Sequence, residues 1–159
     1  MKKTIVLILI AIVAVSSAFA FKFVSAGIET GGGFYASVDM EIIDNLDAYA
    51  RFGYKRLIDF SFGAQYKIAE LKVSKTALPV KPGVQMSFDF RDEYFSFQML
   101  VTFSLSFDVD CFTAFVRPGL GFYTYPTTEL VVTNSGYETK KRPKADLAFV
   151  IETGVAYLF

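Results

Sequence analysis

The side chains able to do chemistry are few, and an absence constrains them most. The chain has no histidine, so no Ser–His or Asp–His relay can supply a general base or activate a nucleophile. Asp39 and Glu41 share one face of an alternating segment and could hold a cation, but neutralisation by Arg or Lys is the simpler expectation. No acidic run has the spacing of a calcium loop. Gly31-Gly32-Gly33 precedes a strand-like segment rather than a helix, so it does not read as a phosphate cradle. Cys111 is the only cysteine, which excludes an internal disulfide. Its parity turns it inward as an inert, at least half-buried thiol. No catalytic residue, metal site or cofactor is expected, and the chain does not read as an enzyme. With 16 basic and 16 acidic residues, no basic field for nucleic acid is present.

Charged residues of this kind must be positioned by strands. From about residue 23 the sequence alternates apolar and polar, the period of a strand whose two faces meet different surroundings. Phe95 to Asp108 sets Phe95, Phe97, Met99, Val101, Phe103, Leu105 and Phe107 against Ser96, Gln98, Leu100, Thr102, Ser104, Ser106 and Asp108. The same pattern marks Phe34 to Ile42, Leu46 to Lys55, Ile58 to Ile68, Val80 to Phe90, Phe112 to Tyr123 and Asp146 to Phe159, with a weaker strand at Phe23 to Thr30. Asp44-Asn45 and Val109-Asp110 read as tight turns on one side. Gly31 to Gly33, Arg56-Leu57, Arg91 to Tyr94 and a long Pro126 to Lys144 excursion fall on the other. The link from Ala69 to Ala77 has no shape legible in the sequence.

The two faces differ in volume, and that decides which lies inside. The apolar faces carry roughly forty side chains, many of them Phe, whereas an eight-stranded barrel has room only for a filling of side chains or one small ligand. The polar face, rich in Gly, Ser, Thr and Gln, fits. The apolar face then looks outward, which only lipid makes tolerable. The expected fold is an all-β, eight-stranded antiparallel transmembrane β-barrel.

Inside such a barrel the charges fall into pairs. Level starts for Phe159 and Phe112 put Arg117 diagonally across from Glu152, and Arg51 takes the same relation to Asp39 across the Asp44-Asn45 turn. This lumen charge network of Asp39, Arg51, Arg117 and Glu152 either plugs the barrel or opens an ion path by exchanging partners; for so narrow a barrel the plug is favoured.

The two ends of the chain carry addressing signals. Lys2 and Lys3, the apolar run Ile5 to Val15 and the small residues Ser16 to Ala20 have the layout of a secretory signal peptide. Residues 1–20 are expected to be cleaved, leaving a single domain, 21–159. The apolar run is too short for a spanning helix. At the other end, Ile151, Val155, Tyr157 and Phe159 close one apolar face. This terminal strand resembles the targeting strand of bacterial outer-membrane barrels. With the leader and the strand count, the whole of 21–159 is similar in pattern to the small OmpA/OmpX/OmpW-type outer-membrane barrels. The resemblance implies export to the outer membrane, insertion by the barrel-assembly machinery and loops at the cell surface. It matches no motif of a single subfamily.

The expected role is therefore structural or surface-interacting, with a narrow transport barrel for ions or small apolar solutes as the alternative, and the chain is expected to be a monomer. Its partners are outer-membrane lipid and an extracellular partner at the Pro126–Lys144 loop. That segment reads most simply as a solvated loop; Asn134-Ser135-Gly136 would also suit the turn of a hairpin with an edge open to a partner strand. The basic cluster Lys140, Lys141, Arg142 and Lys144 is either a charged collar or a partner for lipid phosphates.

Overall fold

The structure, a computed structural model, describes residues 22–54, 58–73, 76–91, 94–133 and 136–158. The expected leader, the junction at Phe21, the Arg56-Leu57 turn and Phe159 lie outside the described residues. Among the described residues nine antiparallel strands run β1 Phe23–Glu29, β2 Gly33–Ile43, β3 Leu46–Tyr54, β4 Ile58–Tyr66, β5 Ala69–Val73, β6 Thr76–Arg91, β7 Tyr94–Val109, β8 Phe112–Thr133 and β9 Gly136–Leu158. Each neighbours the next except at β5. There β4 pairs directly with β6, and β1 pairs with β9, so eight strands close a ring and β5 stands outside it.

The ring is staggered. A row of paired residues leaves β9 at Ala145 and passes through Thr124, Phe97, Phe88, Phe60, Phe52, Ala36 and Ala26. It returns to β9 at Val155, ten residues from its start. A stagger of that size tilts the strands by about 40° to the ring axis.

Alternation sorts the side chains as the sequence suggests. Ser25, Ser37, Asp39, Arg51, Asp59, Ser61, Gln85, Thr102, Arg117 and Glu152 are buried in the interior, while Phe52, Phe60, Phe62, Phe103, Leu120 and Phe149 are exposed on the outside. Most of the large apolar groups of the ring thus face out, and the buried groups are mainly polar or charged, opposite to the usual arrangement of a protein in water.

One tight turn differs from expectation, and the link without a legible shape takes one. The second tight turn is Asp110-Cys111, because Val109 pairs with Phe112; Asp110 takes the left-handed φ of 54° that Asp tolerates. The shift places Cys111 in the turn as an exposed free thiol, not an inward one. The Ala69–Ala77 link is a hairpin: β5 continues β4 past Lys67 and Ile68 and pairs with the start of β6 from Ala69↔Val80 to Val73↔Thr76.

The wall is uneven in height. β1 to β4 hold 7, 11, 9 and 9 residues, whereas β6 to β9 hold 16, 16, 22 and 23. All have one end near one rim, here the turn rim, which carries Asp44-Asn45 and Asp110-Cys111. The excess rises at the far rim, where β8 and β9 stay paired to Thr133↔Gly136. Pro126–Thr133 and Gly136–Lys144 therefore form a two-stranded ribbon and not a solvated loop.

Candidate functional site: an ionic plug between two cavities

Glu152 is the centre of the interior and is 1% exposed. β9 brings it directly opposite Arg117 on β8, because Tyr157, and not Phe159, pairs with Phe112; the expected diagonal relation is corrected by two residues. Arg117 Nη1 donates to Glu152 Oε2 at 3.2 Å, and Arg51 Nη1 donates to Oε1 from across the ring. Gln85 Nε2 adds a third donor at 3.0 Å. Three donors satisfy both oxygens of this carboxylate in a confined interior, where an unpaired polar group would be very costly.

Arg51 lies opposite Ser37 in the β2–β3 ladder and so diagonal to Asp39, as expected, but its guanidinium reaches over the interior to other carboxylates instead. It meets Glu29 at 3.1 Å and Asp59 at 3.3 Å as well as Glu152. Asp39 accepts from Ser37 Oγ at 3.0 Å.

Two tyrosines complete the plug. The Arg51 guanidinium lies 4.9 Å from the Tyr35 ring centre, and that of Arg117 lies 4.3 Å from the ring of Tyr49. Tyr49 OH donates to Gln85 Oε1 at 2.9 Å, linking ring and carboxylate through one amide. Interior glycines make room for these rings. A methyl at Gly27 would meet the Tyr35 hydroxyl oxygen at 2.5 Å, and one at Gly63 would meet that of Tyr49 at the same distance. The sequence marked Gly as interior, but not that Gly27 and Gly63 each serve a tyrosine on a neighbouring strand.

The plug divides the interior into two cavities. The far-rim cavity holds about 670 Å³ and is lined by Glu29, Arg51, Asp59 and Asp89, so carboxylates outnumber cations. The turn-rim cavity holds about 400 Å³ and balances Lys22, Lys67, Lys81 and Arg117 against Asp39, Glu41, Asp47 and Asp108. Lys81 pairs with Asp47 at 2.5 Å there, a bridge the sequence reading missed because β3 and β6 are not neighbours in the ring. Asp39 and Glu41 both line this cavity, and among the described residues no group of His, Cys, Asp and Glu is placed to hold a metal ion.

The basic cluster is divided by the ribbon. Alternation from Glu152 puts Lys140, Arg142 and Lys144 on the face that continues the interior, and Lys141 on the opposite face. Arg142 lies 3.6 Å from Glu129 across the ribbon. Below it Tyr125 OH donates to Asp146 at 2.7 Å, and the Tyr123 and Tyr125 rings stack at 5.2 Å. Of the terminal strand, Val155 and Tyr157 face outward and exposed, Ile151 is half-buried, and Tyr157 packs edge-on against Phe112 at 5.4 Å.

Searches of protein-family models, of curated proteins and of solved structures each return no match to the chain.

Proposed function

We propose that the chain is an eight-stranded transmembrane β-barrel of a bacterial outer membrane. It would be exported through a cleaved leader over residues 1–20 and serve a structural or surface-interaction role with its lumen closed by side chains. The observation that carries this proposal is the inversion of the faces: large apolar groups such as Phe103 and Phe149 are exposed, while Arg51, Arg117 and Glu152 are buried. In water such a surface would aggregate; in hydrocarbon it is the stable one. The dimensions agree. From Phe112 to Phe122 the outward face of β8 is apolar, and about eleven residues at about 3.3 Å, tilted near 40°, cover roughly 28 Å, close to the ~25 Å band of such barrels. An aromatic row in the outer face, Phe62 to Phe88 at 5.6 Å and Phe88 to Phe97 at 5.4 Å, runs on to Phe122.

The partners under this proposal are lipid around the band, the assembly machinery acting on the terminal strand, and an extracellular partner at the ribbon. A second reading, a narrow transport barrel, is favoured by the two cavities that face each other across the plug. Refolding into vesicles followed by planar-bilayer recording separates the readings. A plugged barrel shifts on a gel between heated and unheated samples and gives no regular current steps. Steady ohmic steps would favour transport. A chain that stays out of the vesicles would overturn both.

A further inference from the structure

The seam where the ring closes carries a step. The β1–β9 ladder ends at Glu29↔Glu152, and Thr30 N–H adds a last bond to the Ile151 carbonyl at 2.9 Å. That bond shows that odd residues of β9 turn their backbone groups toward β1. Phe149 and Leu147 are the next odd residues, and their side chains are 63% and 84% exposed on the apolar outer face. Beyond Thr30, no described residue on the β1 side pairs with them.

The short neighbour explains the step. β1 has 7 residues, fewer than the roughly 9–11 that cross a bilayer. At about 3.3 Å per residue and a tilt near 40° it covers about 18 Å. The apolar face of β9 beside it runs from Tyr157 to Leu147, about ten Å taller. Backbone N–H and C=O groups on that edge cannot be left in hydrocarbon unpaired.

Resting on the transmembrane reading above, we propose that lipid headgroups and water fill this step, so that the bilayer is locally thin along β1. Three features favour that occupant over a strand from a second copy. The far-rim cavity is lined by Gly31 together with Leu147, Ala148, Phe149 and Val150, so its polar interior reaches the open edge. Pro143, also odd, removes a donor from the same edge. Lys140, Lys141, Arg142 and Lys144 lie just above it; they would repel their own copies in a second chain but suit headgroup phosphates. Thinning to match a short hydrophobic wall is an ordinary bilayer response.

The chain has no tryptophan, so single tryptophans report depth cleanly. Ile28 lies five residues above Phe23 at the turn rim, and Phe103 six above Val109, so the two are at similar heights on the short and tall walls. Ile28→Trp and Phe103→Trp are refolded into phosphatidylcholine vesicles with bromines at mid-chain, and acrylamide is added from the water. The proposal expects Trp fluorescence at position 103 to be lost to bromine, and that at position 28 to survive bromine yet be quenched by acrylamide. Equal bromine quenching at both positions would overturn local thinning and leave insertion standing. Shielding of position 28 from both quenchers would overturn it in favour of a protein partner on the seam. No bromine quenching at position 103 would overturn the transmembrane reading itself. Should Ile28→Trp fail to give the heat-shifted band, Phe34→Trp at the top of β2, 67% exposed, takes its place with the same expectations.

Discussion

The wall of β1 to β4 and the wall of β6 to β9 enclose the same interior but are built for different surroundings. On the short wall the strands stop soon after their last plug residue: Glu29 and Arg51 lie at or near the tops of β1 and β3, and Asp59 next to the top of β4. On the tall wall the strands continue well past Arg117 and Gln85, first with apolar side chains outside and then, on β8 and β9, with the ribbon. The short wall gives up length and keeps the plug; the tall wall adds an external surface that the plug does not need. Closure of the ring and contact with the outside are thus separate properties of the chain, open to separate perturbation.

The largest effect should come from the plug, to which both walls contribute. Arg117→Ala leaves Glu152 without one of its donors and should destabilise the refolded protein by about 3–5 kcal/mol in a urea titration. Adding Glu152→Gln should recover part of that loss, and strict additivity would show that the two residues do not interact. Glu152→Ala should exceed Arg117→Ala, because it strips a partner from Arg51 as well.

A smaller effect is expected where a short-wall glycine accommodates a ring. Gly27→Ala should lose about 1–3 kcal/mol through overpacking against the Thr153 carbonyl, the nearer neighbour of the added methyl, and the Tyr35 hydroxyl, 2.5 Å from it. Pairing it with Tyr35→Phe should relieve the hydroxyl's share of that loss. A full loss that persists in the double variant would place the strain in the backbone contact with Thr153 alone.

The smallest stability change is expected in the ribbon. Pro126 pairs with Pro143, and their missing N–H groups lie on the two open edges. Changing both to Thr should alter stability by no more than about 0.5 kcal/mol yet make the detergent-solubilised protein self-associate, read by cross-linking. A variant that stays monomeric would show that the prolines do not guard the edges.

Much of this was legible because alternation is a local signal. Phe103 and Ser104 could be assigned to opposite faces from their neighbours alone, and Asp44-Asn45 marked its turn by residue type. The ribbon was less legible, since Thr127-Thr128-Glu129 and Lys140-Lys141-Arg142 are polar on both faces and give no period. A one-residue shift of the Asp110 turn reversed the reading of Cys111. The plug was half legible: Arg117 and Glu152 are neighbours on adjacent strands, whereas Arg51 and Glu152 are 101 residues apart and meet only because the ring closes.

The inversion of the faces is tested most directly on adjacent residues. Phe103 is 50% exposed in the outer band, and Ser104 is 3% exposed, paired with Lys81 and lining the same cavity as Arg117. Folding free energies are to be measured by urea titration in vesicles for Phe103→Arg and Ser104→Glu. A charge at position 103 should lower stability by about 2–4 kcal/mol if that side chain sits near the bilayer midplane. A carboxylate at position 104 should lower it less, since Lys81 and Arg117 can pair with it. The reverse order, with Ser104→Glu the more damaging change, would contradict the placement of the apolar face in lipid.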